Sequence, residues 1–313
     1  MAKQKNPYEI DFKEYIRQGE PSKKDKIFAW LTAIGLQKVD GLIPSKYLFD
    51  IAQRNIDGEI TVAEVKTLVE TYYESKSKHI NDSKERTEEA DKVASRIARI
   101  LSEKAFVFSP SSLITIHRNL FEDIYEFAGK LRDYDILKCE WALDGDSILY
   151  AAWDELQDAL NYDFERERDF NYKGLNEDEI IKHISFFVSR LWQIHPFGEG
   201  NTRTIAVFAI QYFRFLGFDG FSDTFFENSW YFRNALVRAN YTNVEKGIQE
   251  KPIYLERFFR NLLLNERNEL KNRYTHIDYD EYMKKSSQKS VKGHRQTAKA
   301  APSKKIQMGR GQA

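Results

Sequence analysis

From residue 91 to residue 265 apolar side chains recur at the three- and four-residue spacing of helices. VASRIARIL repeats them at that interval, and PSSLITIHRNLFEDIYEFAG opens on Pro110 and a Ser cap before an amphipathic run. Ile180, Ile184, Phe187, Val188, Leu191 and Trp192 fall on one face of the stretch from Glu177 to Ile194, the mark of a core helix. Further helices are predicted over Ala152 to Phe164, Thr204 to Leu216, Trp230 to Asn240 and Tyr254 to Leu264. One segment departs from this period. LRDYDILKCEWALDGDSILY alternates, carries Ile, Tyr and Trp, and turns at Asp144-Gly145, which predicts a β-hairpin. The expected fold class is mostly α, with one hairpin and no internal repeat of 20 to 50 residues.

Ahead of this body the pattern is looser. Residues 1 to 22 are polar and read as partly extended. Lys26 through Ala52 reads as helical, with Phe28, Leu31, Ile34 and Leu36 and the turn signal DGLIPS. In QRNIDGEITVAEV, the residues Gln53, Asn55, Asp57, Gly58, Ile60 and Glu64 imitate the spacing of a calcium loop. Gln53 stands where such a loop needs an aspartate, so a plain helix-turn-helix is the reading preferred over an ion site. Glu64 to Glu74 continues as a helix, and SKSKHINDSKERTEE suits a linker or an exposed helix. The expected division is an N-terminal helical accessory region over residues 1–90, a main domain over 91–283 and a disordered basic tail over 284–313.

Composition and charge narrow the possibilities. The 313 residues include 22 Phe and 17 Tyr, ample for a large core. No run approaches the roughly 20 apolar residues of a membrane span, and MAKQKNPYEIDFKEY lacks a secretory leader. A cytoplasmic location is the default expectation, with export by dedicated machinery as the alternative. Cys139, the one cysteine, excludes an intramolecular disulfide and a Cys-rich zinc site. The net charge of zero conceals two unlike parts: nine Lys/Arg and no Asp/Glu from Lys284 onward leave 39 basic against 48 acidic residues over 1–283, a net of −9. A net-acidic body argues against bulk nucleic-acid binding except through the tail.

The loop between two strong helix patterns, HPFGEGNTR from His195 to Arg203, carries the candidate chemistry. Pro196 prevents the first helix from running on. Gly198 and Gly200 permit backbone conformations closed to other residues. Asn201 and Thr202 stand where the next helix begins, and an amide-lined helix N-terminus is an anion site whose usual guest is phosphate. Arg203 can reach a phosphate oxygen with its planar fork. Glu199 would repel that anion unless a divalent cation such as magnesium bridged the two. His195, at the edge of the loop, has an ordinary pKa of about 6.5, suited to proton abstraction near neutrality.

These residues resemble the signature of Fic-domain proteins: His, any, Phe, any, Asp/Glu, Gly, Asn, Gly/Lys, Arg, with a second Arg three residues on. His195, Phe197, Glu199, Gly200, Asn201 and Arg203 fit in register. The similarity extends over roughly residues 91 to 275, where AGKLRDYDILK resembles the approach to that family's flap and NALVRAN and LKNRY look like its later helices. The resemblance implies a Fic-type helical bundle with a β-hairpin flap, and an enzyme that attaches AMP from ATP to a Ser, Thr or Tyr of a target protein. It implies His195 as general base, Phe197 as structural anchor and Glu199 as holder of magnesium. Gly200, Asn201, Thr202 and Arg203 would bind the phosphates, Asn240 would contact adenine, and Leu137 and Lys138 on the flap would register the target by strand pairing.

The chain departs from the signature twice. Thr202 replaces the usual Gly or Lys, and Ala206 stands at the second arginine position. In the family that arginine binds the terminal phosphate and is gripped by an inhibitory helix glutamate, of whose motif TEEADK at Thr87 is a near miss. DGEITVAEVKTLVETYY faintly resembles small antitoxin-like modules, so regulation in cis, an antitoxin-like partner or self-association are expected forms of control. The alternatives left open are another phosphate-containing donor, removal of AMP, and a non-catalytic nucleotide-dependent binding module.

Overall fold

A computed structural model describes residues 20–76 and 85–279. Helix α1 (Lys23–Gln37) starts at Ser22, whose hydroxyl accepts from the Asp25 N–H. A 3-10 turn over Lys38–Asp40, closed by Gly41, breaks the helix expected through Ala52. The chain resumes as α2 (Lys46–Ile56) under a Ser45 cap and continues as α3 (Val62–Lys76). The calcium-like spacing between α2 and α3 serves a helix-turn-helix. Gln53 donates to Asp57 at 2.6 Å, Asp57 pairs with Lys23, and Glu64 and Thr61 cap each other at the start of α3.

Helix α4 (Glu85–Ser102) begins six residues before Asp91, and α5 (Pro110–Phe121) follows under a Ser109 cap. Then come α6 (Leu156–Asp169), α7 (Glu177–Ile194), α8 (Asn201–Phe215), α9 (Thr224–Ala239), α10 (Ile253–Leu264) and the short α11 (Asn272–Thr275). Helix α8 is the axis of the bundle. Every residue from Asn201 to Phe213 is buried, and α4, α5 and α7 pack around it. Helix α1 lies against α4 and α9. At Gly35 a Cβ would come within 2.4 Å of the Phe225 carbonyl, so glycine sets how closely α1 approaches α9. One apolar cluster takes residues from α1 and α2 as well as from the helices after residue 91. No helix among the described residues is long and apolar enough to cross a membrane.

The β-hairpin expected between Lys130 and Leu149 is absent as a strand pair. Among the described residues the sole bridge is an isolated one between Asn243 and Ile248. Two extended legs are joined instead by the Glu140 N–H to the Asp146 carbonyl (2.9 Å) and the Lys138 N–H to the Ser147 hydroxyl (3.3 Å). A 3-10 turn over Trp141–Leu143 and left-handed Asp144 and Gly145 lie between them. The alternation that suggested strands is real, since Glu140, Ile148 and Tyr150 point inward while Leu137 and Leu149 are 81 % and 86 % exposed. Glu140 is held by Arg233, Tyr150 packs on the Trp192 and His195 rings, and Ile148 joins the apolar core, so the legs need no continuous ladder. The extended start, the middle of the linker and the basic tail expected from the sequence lie outside the described residues.

Candidate active site

The capping box of Asn176 and Glu179 fixes the start of α7, and the chain reverses where the helix ends. His195 takes the left-handed conformation (φ 52°, ψ 57°), its N–H bonded to the Trp192 carbonyl at 3.1 Å. For a non-glycine residue that geometry costs on the order of 1–2 kcal/mol, and the residues around it hold it. Arg132, buried, donates from Nε to the His195 carbonyl at 2.9 Å and from its backbone N–H to the Pro196 carbonyl at 2.9 Å. The same guanidinium donates to Tyr134 at 2.6 Å and to Ala151, which ties both legs of the flap to the histidine's backbone.

The His195 ring is buried with Nδ1 at 3.3 Å from the Trp192 carbonyl and Tyr150 against its face at 4.3 Å. Because Nδ1 faces a carbonyl it carries the proton, and Nε2 presents a lone pair with no partner among the described residues. Burial holds the pKa well below the usual value, and the charges of Lys138, Arg233 and Arg132 act in the same sense. The imidazole is therefore neutral at pH 7, the form a general base requires.

Beyond Pro196 the loop is clasped from within. Asn201 Oδ1 accepts from the Phe197 N–H at 3.0 Å and Nδ2 donates to the Phe197 carbonyl at 2.7 Å. Phe197 stacks on His117 at 3.7 Å. The Gly129 N–H donates to His117 Nδ1 at 2.8 Å, which leaves the proton on Nε2 and directs it to the Glu199 carbonyl at 3.1 Å. Burial lowers the His117 pKa to about 4. Gly200 is the N-cap of α8 at φ 77°, and a Cβ there would strike the Phe121 ring at 2.4 Å. It has no side chain to cap the first-turn amides, so they remain available to an anion. Thr202, buried, accepts from the Trp192 indole at 3.0 Å.

The charged residues are placed less uniformly. Arg203 is 1 % exposed and its fork is engaged from the N-terminal half: Glu89 accepts from Nη2 at 2.7 Å, Gln37 accepts from Nη1 at 3.2 Å, and Asp40 stands 2.7 Å from Nε as an ion pair. Glu89 lies in TEEADK, the near-miss motif, so that segment does reach the site. The Glu199 side chain is 55 % exposed and pairs with Lys138 of the flap at 3.2 Å. A single open carboxylate beside free amides fits magnesium, which keeps most of its waters and shares phosphate oxygens. Glu199 and Arg203 line a cleft of 740 Å³ with Lys38, Asp40, Arg86 and Arg233. Asn240 lies apart from it. It caps α9, donates to the Ser189 and Leu236 carbonyls, and lines a second cleft of 570 Å³ with Ser147, Leu149, Gln193 and Tyr241.

Sequence reasoning overlooked His117, Arg132, Asp40, Glu140 and Arg233. A signal existed for His117, which falls between Leu113 and Phe121 at four-residue spacing on the buried face of α5. The others act through contacts across 60 or more residues, which no local pattern records.

The helical bundle presents an uncapped helix N-terminus beside a buried neutral histidine, an arrangement that can hold an anion next to a base. Residues 107–213 match the model of the Fic/DOC family. The chain is 33 % identical over 104 residues to protein adenylyltransferase VbhT of Bartonella schoenbuchensis, and 31 % identical over 110 residues to a protein adenylyltransferase of Bartonella henselae. These stretches cover 33 % and 32 % of the present chain but 20 % of each relative's own length. The crystal structure of the N-terminal Fic domain of an effector protein from Bartonella sp. AR 15-3 aligns with a TM-score of 0.47 at 20 % identity, covering 60 % of this chain and 85 % of that one.

Proposed function

We propose that the protein transfers AMP from ATP to a hydroxyl side chain of a target protein, with His195 as the general base. The observation that carries this reading is the buried, neutral His195 whose Nε2 has no partner, set beside the uncapped N-terminus of α8. The hydroxyl of a target Ser, Thr or Tyr gives its proton to Nε2. Its oxygen forms a bond to the α-phosphorus while the bond from that phosphorus to the β-bridging oxygen breaks, and pyrophosphate leaves. Amides of the first turn of α8 hold the phosphates, and the Asn201 side chain keeps the loop closed around them. Donor phosphates compete with Asp40 and Glu89 for the Arg203 fork. Magnesium, held by Glu199, would supply charge neutralisation on the phosphates. Low basicity lets His195 pass the captured proton on after each turnover. Leu137 and Lys138 register the target along the open flap edge, and an adenine contact at Asn240 would require the nucleotide to extend from the first cleft into the second. Incubation with magnesium, α-labelled ATP and cell extract tests the reading. Label on protein that vanishes with His195→Ala is expected; no label, or equal labelling by the variant, refutes it.

A further inference from the structure

Position 206, where an arginine would be expected to meet the donor's terminal phosphate, holds a fully buried alanine on α8. The nearest cation of the loop, Arg203, is hydrogen-bonded to Glu89 and Gln37 through its two terminal nitrogens, while Nε lies 2.7 Å from Asp40 as an ion pair without hydrogen-bond geometry. Another guanidinium reaches the same cleft from a different helix. Arg233, on α9, lines it together with Glu199, Arg203, Lys38 and Arg86. Its side chain is 15 % exposed. Nη2 grips both oxygens of the buried Glu140 at 2.8 and 3.0 Å, and Nε is buried with no hydrogen-bond partner among the described residues. A guanidinium N–H left without an acceptor is costly unless a ligand supplies one. The cleft wall carries four cationic side chains, with Asp40 and Glu199 in the wall and Glu89 and Glu140 paired to Arg203 and Arg233 as their counter-charges.

We infer that Arg233 is the second cation of the phosphate site and contacts the β- and γ-phosphates of a nucleoside triphosphate, supplying from α9 what position 206 does not supply from α8. The assignment rests on the proposed function and sharpens it: the donor is a triphosphate, and the groups that recognise its terminal phosphates lie outside the HPFGEGNTR loop. Lys38 and Arg86 on the outer wall of the cleft add attraction for the same charge. A purely structural role is the competing explanation, because Arg233 also anchors Glu140 at the base of the flap.

Two substitutions separate the explanations when ATP and AMP binding to the whole chain is measured by titration calorimetry with magnesium present. Arg233→Gln should weaken ATP on the order of tenfold to a hundredfold, the effect of losing a charge-assisted contact, and leave AMP binding unchanged. Glu140→Gln breaks the same ion pair but frees the guanidinium, so ATP should bind as tightly as before or more tightly. Equal loss of ATP binding in both variants, or parallel loss of ATP and AMP binding in Arg233→Gln, overturns the inference in favour of a structural role. Unaltered ATP binding in Arg233→Gln overturns it while leaving the proposed function standing. Failure of the unsubstituted chain to bind either nucleotide overturns both.

Discussion

The loop from His195 to Arg203 and the flap from Asp133 to Tyr150 meet at the same histidine and are held by opposite means. Every loop residue except Glu199 is buried, and Asn201, Thr202 and Arg203 turn their polar groups inward to Phe197, Trp192 and the carboxylates of Asp40 and Glu89. The flap alternates buried and exposed positions, is closed by two hydrogen bonds between its legs, and leaves Leu137 and Leu149 to solvent. Under the proposed function such a division suits a reaction whose phosphate geometry is constant and whose protein target is not. The loop that would meet the phosphate is organised before binding, which would remove an ordering cost from the chemical step. The flap that would meet the target keeps exposed apolar side chains for a partner to cover.

If the loop is as firmly clasped as its contacts imply, the largest effect should come from Asn201→Ala. The substitution leaves the buried N–H and carbonyl of Phe197 without partners, for an expected loss of about 2–4 kcal/mol of folding stability. Urea unfolding at pH 7 measures it. A loss below about 0.5 kcal/mol would mean that the loop does not depend on this clasp, and the contrast with the flap would lose its basis.

The second clasp, His117, adds a dependence on pH. Its folded-state pKa of about 4 lies below the ordinary value because the ring is buried. The unfolded chain therefore takes up a proton near pH 6.5 while the folded one does not, so stability is complete above that pH and declines as pH falls toward 4. The decline attributable to His117 is up to about 3 kcal/mol, and His195, also depressed, acts in the same direction. His117→Gln can still donate to Glu199 and accept from Gly129 but cannot titrate. Its stability should fall less steeply than that of the unsubstituted chain between pH 6.5 and 4.5; identical slopes would mean that His117 is not held neutral.

The same contrast explains how much could be read from the sequence. The loop was legible because its requirements are local: a histidine at a helix end, glycine where φ is positive and a ring leaves no room, and a helix starting at Asn201. Most helices were legible from their apolar spacing, although α8, buried on all sides, begins three residues earlier than the spacing suggests. The flap misled because inward and outward alternation occurs both in strands and in a coil whose alternate side chains are individually anchored. Glu140 on Arg233 and Tyr150 on His195 are pairings between distant segments. Nor could the fork of Arg203 be foreseen as occupied, since Asp40 and Glu89 lie 163 and 114 residues away along the chain.

The smallest effect on folding, and the most informative about the flap, is expected from Leu137→Ala. The side chain is 81 % exposed, so its loss should change stability by no more than about 0.5 kcal/mol. If the target lies along this leg, the apparent KM for the protein substrate should rise while kcat is retained, because an outlying docking contact contributes equally to ground state and transition state. Leu149 on the opposite leg is just as exposed, but its carbonyl is engaged by Gln193 at 3.1 Å and its leg borders the cleft that contains Asn240. Leu149→Ala should therefore leave KM for the protein target unchanged. A rise in KM of equal size in both variants would show that the flap binds its target as one apolar surface, and the distinction between its two legs would be lost.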